Sequence, residues 1–439
     1  MAFDFKAPDY VAQFRCLGGD CEDTCCQHWD IHFDKHHYEL LAEKVVGDPH
    51  EQRLFERYIR RLDAETAEDR HYARVEFTES GYCPFLETDG LCHIHSRFGV
   101  APLSNICAFY PRVLSRWGNT VEIAGALSCP EMVRLCLRSE HSFKTQRVDA
   151  GILPRPDDYP LSRSFDPTSA DDYVRAFMQV RETFIKLGQE RDFSIETRLY
   201  AMASLAQRLS AFYHRRATVQ SFRVDNECKR ILDASVLGSL DEFCSRYEVD
   251  EPVSMVVAQS ILQLRLQTAP KEKLAAMINE NVSSYRQELG IAGDSAVFDL
   301  PPLRLWEAYQ RRSETVNEVF GVMLEEYLGR YLLNCLYREW FVNMPDAFSY
   351  VQMLIIRLNL LRFLLISSPA VQDIALSIRD RNTEPDQLAR DGFERAVVYI
   401  VYNFARSIDH NMPFLQVLYQ AMAEQQMITF DYSLAFIKG

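Results

Sequence analysis

Along the second half of the chain, apolar side chains recur at the three-and-four spacing of a helix face. Tyr173, Phe177, Phe184 and Leu187 mark one such face after Ser169, and Leu199, Met202, Leu205, Leu209 and Phe212 mark a second. Glu251-Pro252 opens a further helix, with proline in a first-turn position where a missing N–H costs nothing. Long helical patterns run through 303–342, 346–367 and 385–408. The spacing therefore predicts a helical bundle over 156–439, divisible into two subdomains. No repeat of fixed period and no low-complexity tract is present, so a regular solenoid is not expected.

The first third is patterned differently. Its apolar runs are short, with one helix expected from Tyr38 to Leu62. Arg74–Thr78 and Thr120–Ala124 alternate like short strands, and the rest reads as loop. The proline-rich stretch Ile152–Pro160 looks like the link to the helical region. The expected fold class is mainly α: a loop-rich domain over 1–155 with few short strands, then a helical domain over 156–439.

Composition narrows the function classes. At 439 residues, 47% hydrophobic and 25% charged, the chain has material for two or three domains with sizeable cores. Its formal net charge of -14 argues against nucleic acid as a partner, because phosphate binding depends on Lys and Arg, and favours a basic or amine-bearing partner. The most apolar window, Val351–Ser367, contains Arg357, Asn359 and Arg362 and falls short of the roughly 20 apolar residues that span a bilayer. A buried helix and no membrane span are expected. The opening residues Met1–Tyr10 lack the basic and apolar regions of a secretory signal, which gives a cytoplasmic expectation.

Cysteine placement changes the picture most. Of twelve cysteines, nine lie between Cys16 and Cys136; Cys228, Cys244 and Cys335 are scattered and read as small buried hydrophobes. One block runs Cys16-Leu-Gly-Gly-Asp-Cys21-Glu-Asp-Thr-Cys25-Cys26. A second runs Cys83-Pro-Phe-Leu-Glu-Thr-Asp-Gly-Leu-Cys92 and is followed by Cys107, then Cys129 and Cys136. Disulfides, zinc and an iron–sulfur centre compete for these thiols. A reducing compartment disfavours disulfides. Zinc sites usually pair ligands at C-x2-4-C spacing, whereas the gaps here are irregular and include an adjacent Cys-Cys pair. Iron–sulfur clusters accept thiolates from separate loops, and Gly18, Gly19 and Gly90 free the backbone to turn around a bulky inorganic core. An iron–sulfur cluster is the favoured reading, with zinc as the alternative. Metal ligation would also organise a region whose apolar runs are too brief to build a large core.

At these residues the sequence resembles the bacterial flagellin lysine-N-methylase family, FliB, whose cysteine block is shared with small zinc- or iron-chelating proteins of the CxxCxxCC type. The matching stretches are Pro8–Val11, Cys16–Trp29, Cys83–Leu86 with Cys92–His95, Leu103–Cys107, Tyr110–Arg112 and Leu127–Pro130. They cover about the first 135 residues. The resemblance implies methyl transfer from S-adenosylmethionine to lysine side chains of flagellin, with a 4Fe-4S cluster in the enzyme. Carried over residue by residue, it makes Cys16, Cys21, Cys25, Cys26, Cys83, Cys92, Cys107 and Cys129 the metal cysteines. Eight thiols exceed the four that one cubane needs, so the surplus is a second metal, a structural pair or reactive groups. The helical domain would then bind substrate and donor.

Two features separate the chain from other methyl-transfer enzymes. No strand followed by a glycine-rich loop is evident, so a wound-sheet donor site is not expected. The C-x3-C-x2-C triplet of radical S-adenosylmethionine enzymes is nearly met by Cys21 and Cys25, but the third position is His28. A lysine ammonium has no free lone pair and must lose a proton before attack on a sulfonium methyl. Glu22, Asp23, Asp30, Asp34 and Asp89 are candidates to attract the incoming cation, with Trp29, Tyr82 and Tyr110 for cation–π contact. Solvated loop acids and an anchoring Trp29 are the plainer readings. His28, His93 and His95 leave nitrogen ligation open. Arg112 is the candidate for the donor's carboxylate, with structural pairing to an Asp as its equal. Two other classes fit the same thiols: a non-catalytic metal-stabilised binding module or chaperone for an export substrate, and a redox or electron-transfer protein.

Overall fold

The structure, a computed structural model, describes residues 3–27, 30–63, 68–169, 172–215, 224–248, 253–268, 272–292, 300–344 and 346–438. Two units divide between Asp166 and Pro167.

Unit one is built from eight short strands and short helices. Its strands are β1 Asp4–Pro8, β2 His32–Phe33, β3 Ile59–Arg61, β4 Ala73–Val75, β5 Arg112–Trp117, β6 Thr120–Gly125, β7 Thr145–Arg147 and β8 Arg163–Phe165. A five-stranded sheet runs β7-β1-β6-β5-β8, and a three-stranded sheet runs β2-β4-β3. In the larger sheet β1 lies parallel to β6, with Asp4 opposite Thr120, and antiparallel to β7. The β5–β6 hairpin closes at Gly118, whose φ of +57° suits glycine. Helix Pro130–Arg138 packs Met132, Val133, Cys136 and Leu137 into the core. Gly125 makes that approach possible: a Cβ there would lie 2.6 Å from the Met132 sulfur and 2.7 Å from the Tyr10 ring.

Two sequence expectations change here. The helix expected from Tyr38 to Leu62 is two helices, Lys35–Val45 and Pro49–Tyr58, followed by β3. Gly47 at φ +88° breaks the run, and Asp48 restarts it by accepting from the His50 and Glu51 backbone N–H groups ahead of Pro49 at the first turn. The stretch 152–160 belongs to unit one, where the buried Arg155 donates to the Leu103 carbonyl at 3.2 Å and β8 pairs with β5. The few short strands expected are present, with others beside the two named: β2, β3, β7 and β8 are too short to show alternation, and the pattern does not single out β1 and β5.

Unit two is helical. Its longest helices, Pro302–Arg338 and Ala347–Ser367, run close to the expected spans, and Gln387–Phe404 continues into a π-helical turn, Ala405–Asp409. Asp172–Gln189 and Ile195–Arg215 follow the two faces named above; the Phe212 side chain lies outside the described residues, as do Glu251 and Pro252. Helix Ala347–Ser367 is long and apolar enough to cross a membrane by length and composition alone, but 94% of its most apolar window is buried inside the protein. A helix apolar all round belongs in a core. Its Arg357 is enclosed with both hands occupied, donating to Glu339 at 2.7 and 2.6 Å and lying 3.4 Å from Asp409. Tyr331 donates to the same Asp409 at 2.9 and 2.8 Å. Cys228, Cys244 and Cys335 are buried, as small apolar groups are.

Candidate metal centre

The two cysteine blocks are backbone neighbours. Gly18 and Gly90 hold positive φ of +59° and +80°, and a Cβ on Gly19 would lie 2.3 Å from the Asp89 carbonyl oxygen. The glycines thus let the two loops pack main chain to main chain, rather than only giving room to turn. The Cys83 N–H donates to the Cys26 carbonyl at 2.9 Å, and His93 N–H to Phe85 at 2.7 Å, which ties Cys92 back to Cys83. Cys92 and Cys129 stand at the N-caps of helices His93–Phe98 and Pro130–Arg138. Cys107 lies in helix Asn105–Phe109, which Ser104 caps by accepting from the Cys107 N–H at 3.3 Å.

All twelve cysteines are free thiols. Cys83 and Cys92 act on both Cys26 and Cys107, and Cys25 acts on all four; Cys21, Cys16 and Cys129 form a second neighbourhood that also reaches Cys25. Burial and mutual repulsion drive the thiols upward: Cys83 to about 11, Cys129 to about 12, and Cys26 far up through its hydrogen bond with Cys25 and then burial. Cys107 is pushed up to about 12 by the protein packed around it, although its side chain is exposed. Amides at the two N-caps, Ile94 and His95 for Cys92 and Glu131 and Met132 for Cys129, act in the opposite direction. Packed thiols that raise one another's pKa cannot all ionise alone. A bound cation reverses the sign, and soft sulfur donors select zinc or iron–sulfur.

Among the described residues, the trio of potential ligand atoms mutually within 4.8 Å is His36, His37 and Asp158, not a set of cysteines. The sulfurs are more widely spread than one tetrahedral ion with bonds of about 2.3 Å requires.

The accompanying residues take mostly structural partners. His93 sits between Glu87 at 2.8 Å and the buried Glu51 at 3.0 Å, and the hydrogen bond to Glu87, then that to Glu51, raises its pKa against burial. Both ring nitrogens are therefore engaged by carboxylates, and His93 is a buttress beside Cys92. Glu51 was not legible from spacing, being 42 residues from its partner. His95 is exposed, and His28 and Trp29 lie outside the described residues. Glu22 pairs with Arg134 at 2.5 Å, Asp23 accepts from Gln27 at 2.8 Å, Asp30 meets His32 at 3.0 Å, and Asp89 accepts from the Leu91 N–H at 3.0 Å. Tyr110 shares a hydrogen bond with Ser128 at 3.0 Å, and Tyr82 stays exposed.

Arg112 differs from these. It stacks over Phe14 at 4.9 Å, and its buried Nε has no hydrogen-bond partner. Burial lowers its pKa, while the Cys16 and Cys129 thiols on its flank act to raise it. The pairing with an Asp is not seen among the described residues. Arg112 is thus a desolvated cation beside the second thiol neighbourhood.

In unit two, an apolar recess of about 630 Å³ is walled by Val256, Ile261, Leu303, Leu418 and Met422, with Ser260, Gln425 and Tyr432 as its polar groups. It offers burial and little acid–base chemistry.

Residues 181–436 match the family described as FliB lysine N-methylase C-terminal domain. The chain is 31% identical over 298 residues to a lysine-N-methylase of Salmonella typhimurium and equally to one of Salmonella choleraesuis, the match covering 66% of this chain and 63% of each relative. The chain thus spans less than two thirds of those relatives. It is also 31% identical over 127 residues to the flagellar biosynthetic protein FliU of Salmonella muenchen, covering 28% of this chain and 72% of that one. No solved structure matches.

Proposed function

The chain belongs to the FliB lysine N-methylase family, and from that premise we propose that it is a cytoplasmic protein-lysine N-methyltransferase, using S-adenosylmethionine, that acts on flagellin before export and requires a 4Fe-4S cluster held by unit one. The family match over 181–436 carries the reading. The name of the FliU relative supports the flagellar substrate, and the formal net charge of -14 suits a lysine-bearing partner.

The thiols fit the cluster. Cys83 and Cys92 lie close enough to influence both Cys26 and Cys107, so the four thiols come together from three separate stretches, and a spread wider than one tetrahedral ion requires suits a four-iron core better than a single zinc. When bound, such a core supplies redox-active iron. Cys16, Cys21, Cys25 and Cys129 remain beside it as the second group. Arg112 supplies a planar fork for the donor's carboxylate, its unmet Nε–H ready to donate and its surroundings dry enough to strengthen the bond. The methyl-accepting lysine must lose its proton as it leaves water, so a carboxylate or thiolate close to the donor takes that proton.

Anaerobically purified, metal-loaded protein with flagellin and methyl-labelled donor is expected to place label on lysine. No transfer from fully loaded protein overturns the activity. A colourless protein that assays for zinc and not for iron and sulfide overturns the cluster. Arg112→Ala is expected to raise the donor KM and leave that for flagellin unchanged; an unaltered donor KM rejects its role.

A further inference from the structure

Apart from the cysteines, unit one brings together a second set of ligand atoms that the proposed activity does not use. His36 and His37 open the helix Lys35–Val45, and Asp158 arrives from the stretch 152–160. One atom from each lies within 4.8 Å of the others. His37 is enclosed at 2% exposure, His36 and Asp158 are exposed, and the two imidazole rings stand edge to face with centroids 5.0 Å apart. Nε2 of His37 is 2.9 Å from Asp158 Oδ2. Two donors each about 2.1 Å from one tetrahedral ion are separated by about 3.4 Å, so this pair needs to part by only about half an ångström to ligate a single ion.

The far side of the ring is prepared for the same role. His37 Nδ1 lies 2.6 Å from Asp34 Oδ2, and that oxygen also accepts from Asn105 Nδ2 at 2.9 Å. Carboxylate, imidazole and ligand position then lie in series, the arrangement that fixes the tautomer of a metal-binding histidine and raises its basicity. Asp34 is held in place independently, because its Oδ1 caps the helix by accepting from the His37 N–H at 3.0 Å. Charge sets the strength. Asp34 and Asp158 contribute two negative charges, and Arg155, 3.7 Å from Asp158, returns one positive charge. The site stays net negative, with less pull than two unopposed carboxylates have.

We propose that His36, His37 and Asp158 form a binding site for a divalent transition-metal ion of the zinc or cobalt class, oriented by Asp34 and separate from the thiol centre. The ion would take the Nε2 lone pair of His37 and a carboxylate oxygen of Asp158, any proton between them going to solvent, while Nδ1–H stays donated to Asp34. Two imidazoles and one carboxylate leave a further position open to water. The ion would tie residues 36 and 37 to residue 158, across more than a hundred residues of chain.

The test is a Co2+ titration of the full-length protein with its cysteine-bound metal in place, read by visible absorption and by competition with a chromophoric chelator. One extra equivalent is expected, with bands of nitrogen and oxygen ligation and without sulfur-to-cobalt charge transfer. His36→Ala and Asp158→Asn, both at exposed positions, should each weaken that equivalent at least ~10-fold, and Asp34→Asn by roughly 10–100-fold, with thiol-bound metal unchanged. No extra equivalent in the unsubstituted protein, an equivalent with thiolate bands, or equal binding by His36→Ala would each overturn the proposal. Since His37 is buried, the exposed His36 is the decisive position, and no refolding of the core complicates it.

Discussion

In unit two, the helix Ala347–Ser367 encloses Leu354, Leu361 and Leu364 completely and pairs even its arginine, whereas in unit one the loop from Cys16 to Cys26 is exposed or half-exposed everywhere except Asp23. One unit is held by apolar burial that needs nothing from outside. The other gathers thiols whose ionisation the protein itself opposes. Unit one has an apolar core of its own in Tyr10, Leu114, Ile123 and Met132, but its exposed cysteine segment lies outside that core and is what the proposed cluster would complete, ligand-bond energy there being folding energy.

Stripping the metal is the strongest way to break this contrast. If unit one holds the proposed cluster, chelation under reducing conditions should destabilise unit one more than any substitution below. Hydrogen exchange should then open the segments around Cys16–Cys26 and Cys83–Cys107 while the helices of unit two keep their protection; equal loss in both, or none in either, would contradict the contrast. Next comes the charge inside unit two. Glu339→Ala leaves Arg357 buried beside Asp409 alone and should cost about 3–5 kcal/mol, read as a lowered Tm, with thiol-bound metal unaffected.

A smaller effect tests the supports around the thiols. His93→Ala deprives the buried Glu51 of its partner and should cost about 1–3 kcal/mol. The native pKa of His93 is raised, so its contribution is complete below the unfolded value of about 6.5 and disappears as pH rises through the higher native one. Denaturant titrations at pH 6 and pH 9 should show the substitution mattering at the lower pH only. Smallest is Glu196 in unit two, which burial would keep neutral but which Arg362 and Lys438 hold below the usual carboxylate range. Its contribution, about 1 kcal/mol, is present above the unfolded value of about 4.3 and is lost as pH falls through the lower native value. Glu196→Gln should lower stability by about 1 kcal/mol at neutral pH and flatten the acid limb, with nearly no effect below the native pKa of Glu196.

The contrast also governs what could be read from residues alone. The patterns over 303–342 and 346–367 became Pro302–Arg338 and Ala347–Ser367, because long periodic burial averages over local accidents. Arg357 stood out in an apolar window, but its partners Glu339 and Asp409 lie 18 and 52 residues away, and no spacing rule joins them. The π-helical turn that carries Asp409 has no composition of its own. In unit one a single Gly47 defeated a helical pattern that otherwise ran from Tyr38 to Leu62. The thiols were legible as a class from clustering; their division into two neighbourhoods depends on how Gly19 meets Asp89, which only folding reveals. Arg112 was legible as a cation, and its dry, unpartnered Nε was not.

The position of β1 between β6 and β7 sets a timetable for biosynthesis. Asp4–Pro8 leaves the ribosome ahead of its partners Thr120–Gly125 and Thr145–Arg147, which follow only after more than a hundred further residues, on the order of ten seconds later. Through that interval Cys16, Cys21, Cys25 and Cys26 are already outside, and the sheet that will anchor them has not yet been made. The nascent chain thus presents a third of its thiols to the cell's chaperones, oxidants and metal carriers before it can shelter any of them.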